Sequence, residues 1–558
     1  MLTRALLVLS FWIAAQSPSA QSAPIGQGAS AALAEMAHAI EAEHLPGPHV
    51  DQERAVLESL YPATDAHLLW SEHQRLSPQA RELLDILGSS ESYGLRSGDY
   101  LGDGLRAAAL QLSKNPAETD WQQFDLRLSR AATRLIVHLH FGRIDPRTAG
   151  FELPRSHDTF NIATEVLALA SAPKVVDTLR AMEPPFVHYA LLKAALAQYR
   201  GLAADPTRTQ LPGFGKHTLH AGEGYVGAQA LRKLLIALED MTPPAAPVTA
   251  SSSTLDPELV AGIKHFQARH GLTADGSLGT QTYLELTTPL ARRVRQIELT
   301  LERWRWLPTF DSPPIIVNIP QFRLYAVATA EDRALNALQM AVIVGQTYPR
   351  TQTPVFVGDL RYVTFRPYWD VPHSIVLREM LPHIQADSSY LPHNHLELVD
   401  GQSDNSPVVL PTPAAIAALA AGKLRLRQRP GDDNALGLVK FVFPNVHDVF
   451  MHGTPARQLF LQSRRAFSHG FIRVNDPVAL AQYVLRNTAG NWDEAKITAA
   501  MQSSTPLRVE IKQPIRVMIL YGTALATEAG PTDFFDDIYG QDRRLETLLG
   551  LSPVTGAK

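Results

Sequence analysis

From about residue 29 to 210 apolar side chains return at helical spacing, beginning with Ala32, Leu33, Met36, Ala37 and Ile40. Ser77-Pro78 predicts an N-cap followed by proline at the first helical position. Leu83, Leu84, Ile86 and Leu87 then supply an apolar face and Gly88 a stop. Further helices are expected over 120–141, 159–170, 173–182 and 187–200. His138 and His140 lie two apart on such a helix, where side chains diverge, so packing rather than metal ligation is expected of them. A Pro/Ala/Ser linker, Thr242 to Thr254, separates helical pieces at Ala228–Met241 and Pro257–His270. Beyond it a helix ends at Gly271, Asp275-Gly276 turns the chain, and Thr280 is placed to cap the next helix. Residues 292–306 interleave Arg and Trp in an amphipathic helix, expected to show solvent its arginines and anchor its tryptophans on the next domain.

At 314 the period changes to two. Ile315–Ile319 and Arg323–Ala326 predict a hairpin about Pro320-Gln321, with further strands at Ala341–Val344, Leu360–Phe365, Leu438–Phe443 and Asp448–His452. An insertion over 373–430, with a helix capped by Thr412-Pro413, interrupts them and is expected to be either a lid or a disordered excursion. The fold class that follows is multidomain α+β: a helical N-terminal scaffold, a small helical module, and a β-rich domain carrying an inserted lid.

Composition changes this picture at three points. The 558 residues carry 51 basic and 55 acidic side chains, a formal charge of −4, so no basic field draws the chain to nucleic acid. The start, Met-Leu-Thr-Arg, an apolar run from Ala5 to Ala15 and a small-residue exit to Ala23, is that of a secretory signal peptide over 1–23. A periplasmic protein is expected, or a membrane-tethered one if the segment stays uncleaved. There is no cysteine, which excludes disulfides, zinc–thiolate sites and a thiol nucleophile. No nucleotide or dinucleotide loop is present, and His393-Asn-His395 reads as lid surface, so neither cofactor nor metal is expected.

The densest chemistry lies between Met451 and Pro477. His452 closes a strand, Ser468-His469-Gly470 forms a polar turn, and Arg473 follows on a short strand before a helix capped near Asn475/Asp476. A base, backbone N–H donors and a cation on one sheet edge are the parts acyl transfer needs.

These residues resemble the L,D-transpeptidase catalytic domain, whose motif is a histidine followed at a set distance by Ser/Thr-His-Gly-Cys. Here 15 residues separate His452 from Ser468. The resemblance extends to Pro367-Tyr-Trp-Asp-Val-Pro372, Gln428-Arg-Pro-Gly431, Asn434-Ala-Leu-Gly437, Lys440-Phe-Val-Phe-Pro-Asn445 and Tyr539-Gly-Gln-Asp542. Phe266-Gln267, His270-Gly-Leu272, Asp275-Gly276, Gly279 and Thr280 likewise resemble a peptidoglycan-binding module. The whole is similar to the large periplasmic L,D-transpeptidases. The domains then read as 1–23 signal peptide, 29–210 scaffold, 216–290 peptidoglycan-binding module interrupted at 242–254, 310–525 catalytic domain and 526–558 C-terminal segment.

The resemblance implies His452 as base, Gly453 as its backbone orienter, and the amides about Gly470 and Phe471 as oxyanion hole. His469 and Arg473 are the remaining motif side chains, and Tyr368, Trp369 and Ser468 substrate-binding residues. One position departs from the pattern: Phe471 falls where the family has its nucleophilic cysteine. Three readings follow. The first is a peptidoglycan cross-linking protein by family that binds stem peptides with catalysis impaired. The second is a working transpeptidase with an unrecognised nucleophile, or with Phe471 an artefact, since cysteine and phenylalanine codons differ by one base. The third is a non-catalytic wall-binding scaffold. Peptidoglycan stem peptides are the expected partner, together with other wall-synthesis proteins.

Overall fold

The computed structural model describes residues 50–63, 67–100, 102–154, 160–215, 217–243, 253–309, 312–326, 338–348, 351–528, 530–552 and 554. The expected signal peptide, the helix about Ala32–Ile40 and most of the 242–254 linker lie outside them. The chain divides into two compact units, one of residues 1–90, 96–137 and 160–182, the other of 91–95, 138–159 and 183–558.

The first unit is helical. Ser77 caps the helix Pro78–Gly88 through its hydroxyl, which accepts from Ala80 N at 3.0 Å, as its Ser-Pro start predicts. Asp125 is fully buried and accepts from the amides of Leu69 (3.0 Å) and Trp70 (2.8 Å) and from the Tyr61 hydroxyl (2.9 Å). Burial nevertheless raises its pKa to about 6. Glu53 is similarly enclosed and meets Arg134 at 2.7 Å. These polar groups satisfy one another: Asp125 fastens the loop at Leu69-Trp70 to its helix, and Glu53 ties its helix to that of Arg134.

In the second unit the helices Val187–Ala203, Ala228–Ala237, Pro257–Arg269, Thr280–Leu286 and Leu290–Arg305 share one apolar core, including Leu196, Leu235, Ile263, Phe266, Ile297 and Leu301. The Phe-Gln…Asp-Gly…Thr pattern has a physical origin there. Gln267 Nε2 donates to Asp275 Oδ1, Ser277 O and Thr282 Oγ1, each at 3.0 Å, while its Oε1 accepts from Gly276 N at 2.8 Å. One buried amide thus holds the turn, and Gly276 supplies its positive φ of 79°. Two expectations are corrected. Thr280 does not cap: Gly279 is the non-helical residue before Thr280–Leu286, and no side chain caps it. The arginines of Leu290–Arg305 do not face solvent; Arg293, Arg303 and Arg305 are buried, with Glu285 and Asp542 from other segments answering the first two and Glu302 of the same helix answering the third.

The β domain has strands β1 (Ile315–Asn318), β2 (Arg323–Ala326), β3 (Leu338–Gly345), β4 (Phe356–Phe365), β5 (Trp369–Asp370), β6 (Leu396–Val399), β7 (Val408–Val409), β8 (Arg425–Gln428), β9 (Val439–Val442), β10 (Met451–His452), β11 (Ala466–Ser468), β12 (Ile472–Val474) and β13 (Leu507–Leu520). Asp448–Phe450 is not strand as expected; only Met451–His452 pairs. The main sheet runs β11-β3-β12-β10-β9-β4-β13-β1-β2, and β2 also pairs with β3, closing it into a barrel-like form. Its inner face, including Val342, Val363, Phe441, Met451, Ile472 and Ile519, forms the main core. The insertion is ordered. Its sheet β5-β8-β6-β7 packs around Ile375, Ile384, Leu398, Leu419 and Leu426, and Thr412 caps its helix through Ala415 N at 3.2 Å. A hairpin of β14 (Ala524–Thr527) and β15 (Gly530–Phe534) and a helix Gln541–Leu548 complete the unit.

Candidate active site

Strand pairing assembles the site from three separate chain segments. β9 pairs antiparallel with β10, placing Lys440 opposite His452, and β10 pairs parallel with β12, placing His452 beside Arg473. Alternation turns Phe441, Met451 and Ile472 into the core, so Lys440, His452 and Arg473 form a row on the other face. Phe450 and Phe471, each two residues from a member of that row, share the face.

His452 is 2% exposed, and its Nδ1 lies 2.6 Å from the carbonyl oxygen of Gly453. A carbonyl only accepts, so Nδ1 carries the proton and Nε2 keeps its lone pair. Burial first, then the Arg473 charge, lowers its pKa to about 3, with Lys440 acting in the same direction and the Gly453 carbonyl opposing. The imidazole is therefore neutral and basic in form at neutral pH.

The turn Ser468–Phe471 is held from both ends. Ser468 Oγ donates to Phe471 O at 2.5 Å and accepts from Gly470 N at 3.1 Å. Gly470 has φ 112°, a conformation that strains any side chain, and its carbonyl accepts from Thr353 Oγ1 at 2.9 Å. Thr353 Oγ1 in turn accepts from Gly345 N at 2.8 Å, and Tyr539 OH donates to Gly345 O at 2.6 Å. His469 Nε2 meets Glu379 Oε1 of the insertion at 2.7 Å.

A cavity of about 690 Å³ opens beside this turn. Phe471, Phe450, Gly470, His469 and Lys440 line one side, and His373–Val376, Arg378, Glu379 and Leu424–Leu426 of the insertion the other. Phe471 packs on Phe450 with ring centroids 4.5 Å apart and stands edge-on to His452 at 6.3 Å. His452 does not line the cavity; the two phenylalanines lie at its surface and the base behind them.

Several expected site residues fall elsewhere. Gly470 N–H is committed to Ser468, so of the two expected oxyanion donors the Phe471 N–H remains. Arg473 is half-buried behind the cavity wall, its Nε without a hydrogen-bond partner, and desolvation lowers its pKa. Tyr368 and Trp369 do not line the cavity. Tyr368 lies under the Arg427 guanidinium at 4.1 Å, and Trp369 packs on the apolar centre of the insertion, because β5 is drawn into the insertion's own sheet. The Asn434 motif is a brace: its Nδ2 donates to Arg429 O at 2.9 Å and its Oδ1 accepts from Leu436 N at 2.9 Å. Lys440, Phe450 and Glu379 were not singled out as site residues from the sequence. A lone lysine in the apolar run Leu438–Phe443 was the available signal. Among the described residues no cluster of three or more His, Asp or Glu side chains could hold a metal ion.

Comparison with known proteins now decides the family of this domain. Residues 313–509 match the L,D-transpeptidase catalytic domain, 227–286 a putative peptidoglycan binding domain, and 55–196 a scaffold domain. The chain carries an L,D-transpeptidase catalytic domain. A putative L,D-transpeptidase of Haemophilus influenzae is 30% identical over 254 residues, covering 45% of this chain and 49% of that protein. The chain thus spans about half the length of the curated relative it matches.

Proposed function

We propose that this protein acts at the periplasmic wall in peptidoglycan cross-linking, binding stem peptides in the cavity beside Phe471, with its own acyl transfer disabled. The observation that carries this reading is a neutral, buried base with a benzyl group in front of it. His452 is buried and neutral, Phe471 occupies the motif's fourth place at the cavity surface, and the chain has no cysteine. A phenyl ring cannot form a thioester. Loss of a covalent nucleophile costs on the order of a million-fold in rate, and oxyanion stabilisation and binding alone retain roughly 10³–10⁴ over water. Ser468 does not replace the thiol, since its hydroxyl is spent on Phe471 O and Gly470 N. The putative peptidoglycan binding domain supports retention on the wall.

Phe471→Cys tests the reading. With a thiol there, His452 Nε2 takes the proton and sulfur attacks the carbonyl preceding terminal D-alanine. D-alanine leaves with a proton, and the thioester passes to an acceptor amine. The protein as it stands should bind sacculi and release no D-alanine from a disaccharide-tetrapeptide, whereas the variant should release it. D-alanine release or cross-linked dimer from the unchanged protein would overturn the impairment; failure to retain sacculi would overturn the wall-binding role.

A further inference from the structure

We propose that Lys440 is the group by which the cavity recognises a free carboxylate on a bound peptide; the inference rests on the stem-peptide reading above. Lys440 lines the cavity from β9, and its Nζ sits 3.9 Å from the centroid of the Phe450 ring. Among the described residues no carboxylate lies within ion-pair distance of it, although Asp370, Asp404 and Asp448 act on it from farther away. The other charges on the cavity wall are either answered or exposed. Asp370 pairs with Arg425, Glu379 pairs with His469, and Arg378 and Asp448 stand in solvent.

Lys440 is therefore a half-buried ammonium without a counter-ion, in a row with neutral His452 and with Arg473, whose Nε also lacks a partner. Two cations flank one neutral imidazole, and both act on it in the direction that disfavours its protonation. Desolvation lowers the lysine's own pKa, which is the cost of holding that charge unpaired. A carboxylate arriving there would gain a charge-assisted hydrogen bond in a partly dehydrated place. The Phe450 and Phe471 rings, with Ile375 and Val449, offer apolar walls to the body of the peptide. Arg473, the cation of the motif, stands behind the wall, and Lys440 stands in it.

The test uses the full chain and a stem tetrapeptide in three forms: free acid, C-terminal amide, and side-chain amide. Titration calorimetry reads binding for the unchanged protein, Lys440→Met and Lys440→Arg. The free acid should bind Lys440→Met roughly tenfold more weakly and Lys440→Arg within a few-fold of the unchanged protein. One of the two amides should bind the unchanged protein about tenfold more weakly, which identifies the carboxylate, and should bind Lys440→Met no more weakly than the free acid does. Equal free-acid affinity for the unchanged protein and a normally melting Lys440→Met variant would overturn the proposal, as would an amidation penalty that survives in that variant. If the unchanged protein binds none of the three peptides, the stem-peptide reading itself falls and takes this one with it.

Discussion

Two sets of buried charges in the second unit are built on opposite plans. Along the helix Leu290–Arg305 the buried charges are answered: Glu302, wholly buried, takes Arg143 at 3.2 Å and Arg305 at 3.0 Å, and Asp542 takes Arg303 at 2.6 Å. Burial alone would raise the Glu302 pKa, but the two guanidiniums outweigh it and the net shift is downward. On the row Lys440–His452–Arg473 no acid among the described residues forms an ion pair, burial outweighs the more distant aspartates about Lys440, and all three groups are shifted towards their neutral forms. Compensated charges brace the fold. Of the uncompensated ones, only Lys440 stands at the cavity wall.

The largest break in this comparison is expected from Glu302→Gln. It leaves Arg143 and Arg305 buried without a carboxylate and should cost about 3–5 kcal/mol in denaturant unfolding. A loss below about 1 kcal/mol would mean the helix charges are not compensated in the sense argued. Next comes the pH response of His452. Its folded pKa of about 3 lies below the ordinary 6.5, so between those values the unfolded chain binds the extra proton. Stability is fully present above about 6.5 and falls by about 1.4 kcal/mol per pH unit as pH drops towards about 3. Unfolding curves from pH 7 to 4 should show a shallower acid loss in His452→Gln, and parallel losses would refute the assignment.

Lys440→Met should do the reverse of Glu302→Gln. Removing a cation that its surroundings disfavour should leave the melting temperature unchanged or raise stability by up to about 1 kcal/mol while carboxylate binding is lost. The smallest effect belongs to Glu379→Gln. Its pair with His469 is partly exposed, and such pairs contribute about 0–1 kcal/mol, so thermal unfolding should barely move. A large drop would show that the insertion depends on this contact.

The sequence made some of the site legible and hid the rest. His452, Ser468, Gly470 and Phe471 could be read from spacing, because the turn depends on local bonds between Ser468, Gly470 and Phe471. Lys440 carried only the weak signal of a charge in an apolar strand, since its meaning depends on a partner 12 residues on in β10 and another in β12. The Tyr368-Trp369 expectation failed for a related reason: their neighbours are chosen by β8, more than fifty residues away. The arginines of Leu290–Arg305 have the periodicity of a solvated face, and periodicity does not record that Glu285 and Asp542 close over them.

By itself the chain determined its helical and β-rich regions, the Gln267 turn, the capped helices at Ser77 and Thr412, and the absence of any thiol. These depend on hydrophobic period, cap chemistry and composition, all of which are local. Tertiary structure alone decided which charges are answered, which side chains wall the cavity, and that His452 lies behind two phenyl rings. Burial and Coulomb partners act through space, and the partners concerned come from strands and helices far apart in the chain.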